Sequence, residues 1–267
     1  MPDLYLLLLK AGFAVIVVVG ATIAAERSGP FWGALITALP VSMGPIYVVM
    51  AIDRSNAFIA DSTLSSFAAH ASMAAFLSAG TVLATRTGAG ATILGAVGAW
   101  CLSSWAIHVV QWGVTDAIAL NIAAFIIALA ITKTWGRPGV AIPAPSRWFD
   151  LPLRALLVAT LTITVSLTSA ALGPKTSGIL AIFPVVFISA TIVLLARLGG
   201  GATAAILARA VVPLVGLGIA LLTAHLMTQR FGSAIGLSTG LAATLGYSLV
   251  LILWHLRGSG ALLRRGR

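Results

Sequence analysis

Long apolar runs separated by short polar stretches follow one another along the whole chain. Most of these runs reach the ~20 residues that a helix needs to cross roughly 30 Å of hydrocarbon. The alternating ten-residue pattern of a membrane barrel strand is absent from the sequence. We therefore predict an all-α, multi-pass membrane protein with nine transmembrane helices at residues 4–25, 31–51, 64–84, 92–110, 117–132, 151–172, 178–196, 204–227 and 234–256.

One stretch of the sequence occurs twice. Residues 29–51 read GPFWGALITALPVSMGPIYVVMA, and residues 173–196 read GPKTSGILAIFPVVFISATIVLLA. The shared Gly-Pro pair and the later proline recur at one spacing (173 − 29 = 144 and 184 − 40 = 144), as does a cation, Lys10 and Arg154. Because these residue types are scarce here, the match indicates a tandem duplication. The first repeat is predicted at residues 1–145 and the second at 146–267, within one integral membrane domain.

The positive charges predict how the chain crosses the membrane. Ten loop or terminal cations fall on one side of the predicted helices and three (Arg54, Lys175 and Arg230) on the other. The positive-inside rule then places the C-terminus in the cytoplasm and the N-terminus outside. Helices 1 to 4 match helices 6 to 9, an odd displacement of five crossings, so the repeats should have inverted topology. If the fifth run, 117–132, is not a true crossing, the repeats would instead be parallel.

Composition excludes several classes of protein. A hydrophobic fraction of 60%, a charged fraction of 8% and a mean hydropathy of +1.08 rule out a soluble domain, in which about 25% of residues are charged. The net charge of +10 is scattered singly between apolar runs, which favours contact with lipid headgroups over nucleic acid. The four histidines lack metal-site spacing, and the GxSxG run at 236–240 lacks the strand of a nucleophile elbow. We expect no catalytic site, metal or cofactor.

The repeated prolines are the first candidates for a substrate site. Pro40 and Pro184 lie near the middle of predicted helices 2 and 7, where proline frees backbone carbonyls that protein or water must satisfy. Ser42 and Tyr47 offer hydroxyl groups nearby. The alternative is that both prolines only kink helices for packing.

The repeated cation is the second candidate. Lys10 and Arg154 each lie about two turns into an apolar run, and a cation at the bilayer centre costs at least about 2.5 kcal/mol. In an inverted repeat they would approach opposite membrane faces, as a gate or as two entrance sites for an anionic ligand. Alternatively, both side chains snorkel to the headgroups.

Three further polar residues are candidates for proton coupling. His70 has a side chain that titrates near neutral pH. Asp61 would pair with Arg209 if predicted helices 3 and 8 touch. The alternative for Asp61 is an interfacial position facing headgroup water.

Glycines at four-residue spacing predict a close helix contact. Gly232, Gly236 and Gly240 form a GxxxGxxxG ridge of the kind by which membrane helices pack. The ridge could pack inside the chain or join two chains as a homodimer, and both alternatives remain open.

The run GPKTSGILAIFPVV at 173–186, with GPFWGALITALPVS at 29–42 as a second copy, resembles the GlpM-type family of small bacterial inner-membrane proteins. Members resemble one half of this chain, which would then be a fused double copy. The resemblance implies an inner-membrane location and a link to export or envelope polysaccharide production. It supplies no functional residues beyond Pro40 and Pro184.

These observations favour a secondary transporter or exporter of a small polar or anionic solute, working by alternating access between helices 2 and 7. The alternatives are a non-transporting scaffold or assembly subunit of an envelope complex, and a lipid-handling protein. Its expected partners are the lipid bilayer and an unknown small solute.

Overall fold

The computed structural model describes residues 4–27, 40, 43–135 and 150–265, and within these ranges all regular secondary structure is helical. Residues 28–39, 41–42 (which include Ser42) and 136–149 lie outside the described residues, and they cover about half of predicted helix 2 and most of the central linker. The helices are α1 (Leu4–Arg27), α2 (Met43–Asp53), α3 (Asn56–Ala69), α4 (Ala71–Ala84), α5 (Ala89–His108), α6 (Val114–Trp135), α7 (Asp150–Ala181), α8 (Val185–Phe231) and α9 (Ser233–Arg265).

The membrane character of the chain agrees with these helices, but the predicted count of nine separate helices is wrong. When α3–α4 (Asn56–Ala84) and α7–α8 (Ala155–Phe231) are each counted as one continuous stretch, the described part forms seven helical stretches, of which five are long and apolar enough to cross a membrane. Predicted helices 6, 7 and 8 join into one stretch, Ala155–Phe231. They join because the chain turns there through the single left-handed glycines Gly173 and Gly199 and a short break before Pro184 rather than through loops.

The fifth apolar run is longer than its sequence suggested. Helix α6 spans 22 residues, from Val114 to Trp135, whereas the predicted span ended at 132. At a rise of 1.5 Å per residue this helix is about 33 Å long, which matches the hydrocarbon thickness. The length of α6 is therefore that of a full crossing.

Helix boundaries repeat at the spacing of 144 residues. Helix α5 begins at Ala89 after Gly88, and α9 begins at Ser233 after Gly232 (233 − 89 = 144). In the same way α3 begins at Asn56, and helical geometry in α8 resumes after Gly199, at residue 200 (200 − 56 = 144). These two helix starts thus recur at the spacing of the predicted duplication.

Helices that the 144-residue spacing relates pack against each other and run antiparallel. Along the pair formed by α3–α4 and the part of α8 after Gly199, successive contacts join Ala60 with His225, His70 with Leu214, and Ala84 with Gly200. Residue numbers rise along one helix as they fall along the other. The contact in the middle joins two residues that are 144 positions apart.

Small residues allow the closest approaches between helices. A Cβ atom on Gly178 would collide with the backbone of Ser62, and one on Gly200 with the backbone of Ala84. The GxxxGxxxG ridge behaves in the same way, since Cβ atoms on Gly236 and Gly240 would meet the backbone of α8. The ridge therefore packs inside the chain in this structure. A homodimer stays an untested prediction, for which the buried face of this ridge is not available.

Helices α3 and α4 form the centre of the molecule, and α5, α6 and α9 form much of its periphery. Most of α3 and α4 is buried, whereas the outer faces of the peripheral helices carry large exposed apolar side chains, among them Leu94, Trp105, Ile126 and Trp254. Such faces are typical of helices that contact lipid.

Candidate functional site

A pocket of about 310 Å³ lies between the two predicted repeats. Its lining includes Asp61 and Ser65 from α3, Gln111 from the α5–α6 connection, and Lys175 from α7. The first three residues belong to the first repeat and Lys175 belongs to the second. A carboxylate, an ammonium group, an amide and a hydroxyl therefore surround one space, next to the ring of Trp112.

The break in α7 places Lys175 in this pocket. Gly173 adopts a left-handed backbone (φ 75°), which glycine tolerates because it has no Cβ, and Pro174 then starts the next helical segment. The Lys175 Nζ atom donates to the carbonyl oxygen of Val110 at 2.8 Å. This hydrogen bond ties the break in α7 to the end of α5.

A second polar cluster lies in the centre of the molecule, around His70. This residue separates α3 from α4 and is 1% exposed. Its Nδ1 atom is 2.9 Å from Oδ1 of Asn121, and its Nε2 atom is 3.0 Å from the carbonyl oxygen of Leu214. The ring of Phe125 stacks on the imidazole with 4.7 Å between centroids. The cluster thus joins the helix break to α6 and to α8.

A chain of hydroxyl groups continues from this centre towards α7. The Tyr47 hydroxyl lies 2.7 Å from the Ser66 hydroxyl, and Ser66 in turn donates to the carbonyl oxygen of Gly178. All three residues are buried. Tyr47, a predicted substrate-binding residue, therefore joins α2, α3 and α7 in this structure.

The cation of the first repeat has a carboxylate partner. Lys10 in α1 forms an ion pair with Asp53 at the end of α2. Next to it, Arg54 donates two hydrogen bonds to the Ser169 hydroxyl, with N–O distances of 3.2 and 2.9 Å. The backbone of Arg154 lies in α7, but its side chain lies outside the described residues.

The two predicted proline breaks share one kind of backbone hydrogen bond. The carbonyl oxygen of Pro40 accepts from the amide of Gly44 at 2.7 Å, and that of Pro184 accepts from the amide of Ile188 at 2.8 Å. Each proline lies just before a helix, α2 or α8.

The predicted pairing of Asp61 with Arg209 does not form, although their helices touch. In the antiparallel pair, Ala60 lies opposite His225, and Arg209 is 16 positions from His225. At 1.5 Å per residue this separation is more than 20 Å along the axis. Both side chains are exposed, and Asp61 belongs to the pocket instead.

The sequence alone did not predict several residues of the pocket, of the cluster around His70 and of the Lys10 ion pair. Asn121 is an amide in the middle of an apolar run, where a polar side chain is usually functional or structural, so its position was a usable signal. Asp53, Gln111 and Lys175 lie at helix ends, where charged and polar residues are common. Only in the folded structure does Asp53 lie against Lys10, and only there do Gln111 and Lys175 line the same pocket as Asp61.

The chain matches no family model, no curated protein and no solved structure. Among the residues that the structure describes, no group of three or more His, Cys, Asp or Glu side chains is placed to hold a metal ion. The arrangement of polar groups is therefore the basis for assigning a function.

Proposed function

We propose that the protein is a secondary transporter of a small polar or anionic solute, built from two inverted-topology repeats. The observation that carries this proposal is the pocket between the repeats, with Asp61 on one wall and Lys175 on the other. Lys175 would neutralise an anionic group of the solute, and Asp61, Ser65 and Gln111 would hydrogen-bond its polar groups.

The antiparallel contact of equivalent helices supports the inverted topology. Segments related by the 144-residue spacing run in opposite senses where α3–α4 meets α8. If both segments cross the bilayer, the repeats enter it from opposite sides. Together with the distribution of cations, this supports the proposed N-terminus outside and C-terminus in the cytoplasm of a bacterial inner membrane, the location that the GlpM-type resemblance implies.

The two repeats differ at equivalent positions, as alternating access requires. Asp61 lines the open pocket, whereas its equivalent, Ala205 (61 + 144 = 205), is 4% exposed. In a transporter with inverted repeats, each repeat exchanges its conformation with the other when the site changes sides. Ala205 would then become accessible from the membrane side opposite the present pocket.

This exchange can be measured without knowing the solute. Cys101 is replaced by alanine, and Ala205→Cys is introduced into the protein in membrane vesicles. A membrane-impermeant thiol reagent is applied from either side. The matched control is Ala220→Cys, at a residue of α8 with the same 4% exposure that faces α9 rather than the interface with α3–α4.

Alternating access predicts that Ala205→Cys is labelled from the basic side of the membrane while Ala220→Cys stays unlabelled. Equal protection of both cysteines would contradict the transporter and favour the alternative of a rigid scaffold in an envelope complex. Labelling of Ala205→Cys should also slow when a bulky reagent has already modified Ser65→Cys in the pocket, because the two openings exclude each other.

The solute itself can then be sought by thermal stabilisation of the purified protein. We expect a small anionic or zwitterionic solute to raise the Tm of the wild type, and to have a much smaller effect on Lys175→Gln and Asp61→Asn. Lys133→Gln, at an exposed lysine outside the pocket, is the control. Uptake of that solute into proteoliposomes would complete the assignment.

A further inference from the structure

We infer that His70 binds a proton in the membrane core and that its charged form joins the two repeats where they cross; this inference rests on the proposed function, for which it names the coupling ion. The argument starts from the hydrogen-bonding partners of the two ring nitrogens. A neutral imidazole has one nitrogen that donates and one that accepts, whereas the charged form donates from both.

The partner of Nδ1 is an acceptor. The Asn121 amide nitrogen donates to two backbone carbonyls, that of Phe67 at 2.7 Å and that of Ala117 at 2.9 Å. The amide oxygen is therefore the atom that faces Nδ1 of His70, at 2.9 Å. Turning the amide over would bring its oxygen against both carbonyls, which places acceptors against acceptors. The orientation of Asn121 is thus fixed by its surroundings, and Nδ1 must donate.

The partner of Nε2 is an acceptor as well. The carbonyl oxygen of Leu214 lies 3.0 Å from Nε2, and a carbonyl has no hydrogen to donate. A hydrogen bond therefore forms only if Nε2 carries a proton. Because Nδ1 and Nε2 both face acceptors, the arrangement is satisfied in full only by the doubly protonated, charged ring.

The flat faces of the ring also suit a positive charge. Phe125 stacks on one face with an interplanar angle of 14°, and the face of an aromatic ring attracts cations. Gly218 also lies against the imidazole, where an added Cβ would come within 3.1 Å of it. These contacts offset part of the cost of a buried charge.

The other described buried histidine provides a contrast. His225 is 2% exposed, and its Nδ1 atom lies 2.7 Å from the carbonyl oxygen of Ala60. Its Nε2 atom lies 3.3 Å from the amide nitrogen of Gln229, a donor. One nitrogen donates and the other accepts, so His225 is satisfied as a neutral ring. The contact between α3–α4 and α8 thus holds both kinds of histidine environment.

The charged side chains of the surrounding helices lie away from the His70 ring. On every element packed against the ring, the titratable or charged side chains lie five or more positions along the helix from the residue that contacts His70. They are Asp61 on α3, Asp116 and Lys133 on α6, and Arg197, Arg209, His225 and Arg230 on α8. The charge is therefore stabilised by carbonyl and amide oxygens and by Phe125.

Proton release would weaken the contact between the repeats. The step removes one proton from the charged ring to solvent and leaves a neutral imidazole. If the Nε2 proton leaves, its lone pair faces the carbonyl oxygen of Leu214, which is repulsive. If the Nδ1 proton leaves, the same conflict arises at Asn121. Binding of the proton therefore favours the packed arrangement of α3–α4 and α8, and its release favours their separation, which couples a proton to the movement of the repeats.

Nitrogen NMR of the full chain in lipid nanodiscs measures the protonation state of His70 directly. Protein labelled with ¹⁵N-histidine reports whether each ring carries one proton or two across a pH series. Loss of the signals in His70→Gln assigns His70. If that variant fails to fold, a variant in which His108, His225 and His255 are all changed to Gln leaves His70 as the only signal.

We expect the ¹⁵N signals of His70 to show two ring protons at the acidic end of the pH series and one ring proton at the basic end. The inference is overturned if His70 carries a single ring proton at every pH at which the protein stays folded. This result would leave the transporter untouched, because Ala205→Cys labelling tests the transporter independently. Conversely, a charged His70 in a protein without alternating access would refute only the transporter.

A second variant separates proton binding from packing. Asn121→Leu replaces the amide with an apolar side chain of similar size and removes the acceptor that faces Nδ1, so the proton affinity of His70 should fall about tenfold or more. Gln229→Leu, the matched control, alters the partner of His225 and should leave the titration of His70 unchanged. An unchanged His70 titration in Asn121→Leu would also overturn the inference.

Discussion

The Nε2 atom of His70 lies 3.0 Å from the carbonyl oxygen of Leu214, and these two residues are 144 positions apart, the spacing of the predicted repeat. Two equivalent positions can touch only at or near the axis that relates the copies. The helices that carry these two residues run antiparallel at this contact. A two-fold axis between the helices would relate the two predicted copies in opposite orientations, which supports the inverted arrangement. The polar cluster around His70 therefore lies at the contact that a movement of one predicted repeat against the other would change.

The close approach of α3 and α7 should depend on a single glycine. A Cβ atom at Gly178 would lie 2.9 Å from the carbonyl carbon of Ser62 and closer still to its oxygen, so Gly178→Ala must push the helices apart. We expect a loss of about 1–3 kcal/mol in the free energy of unfolding, measured by denaturation in detergent.

The control for this prediction is another helical glycine. A Cβ atom at Gly98 meets nothing within 4 Å, so Gly98→Ala should be neutral, or stabilising by up to about 1 kcal/mol through helix propensity. Equal effects of the two substitutions would show that the helices do not approach each other as the structure describes.

The hydroxyl chain predicts a difference between two tyrosines. Tyr47→Phe removes the donor to Ser66 inside the core, which should cost about 1 kcal/mol or more and lower the Tm. Tyr247→Phe removes a hydrogen bond to the carbonyl of Val212 at a more exposed position and should cost less. If Tyr47→Phe were as mild as Tyr247→Phe, the chain through Ser66 to Gly178 would contribute little to packing.

The ion pair between Lys10 and Asp53 should stabilise the contact of α1 with α2. The two side chains are 11% and 32% exposed, between a buried and a surface pair, so Lys10→Gln should cost about 1–3 kcal/mol. Lys133→Gln, at an exposed position, should change stability by about 0.5 kcal/mol or less. The unfolding free energies of both variants are compared with the wild type at low and high salt.

A double-mutant cycle identifies the partner of Lys10. In Asp53→Asn the carboxylate is already absent, so adding Lys10→Gln should cost much less than it does in the wild type. Additive effects would mean that the two residues do not interact, and would return Lys10 to the predicted role of contacting headgroups or an anionic solute.

The sequence predicted the broad architecture because its strongest signals are local. Apolar runs indicate membrane helices whatever their partners are, and the scarce residues Pro40 and Pro184 predict a duplication from the sequence alone. Their equivalent turns follow from proline chemistry, which depends on the neighbouring residues alone.

The helix count and the site depended on contacts that a local pattern does not contain. Single glycines such as Gly173 and Gly199 replaced loops, because a left-handed residue turns the chain in one step. From the sequence alone, Lys175 and Gln111 are ordinary loop residues, and only the fold places them in the pocket with Asp61. The antiparallel register of α3–α4 and α8, which separates Asp61 from Arg209, could not be known from either helix alone.

The orientation of the two copies is the claim on which the account depends most, and cysteine labelling in membrane vesicles measures it directly. Thr87 and Phe231 are both exposed at helix ends and are 144 positions apart (231 − 87 = 144). Thr87→Cys and Phe231→Cys are made separately in the Cys101→Ala protein and treated with an impermeant thiol reagent from each side. Inverted copies predict that the two cysteines react from opposite sides of the membrane. Reaction of both from the same side would contradict the inverted repeat and the transport mechanism built on it.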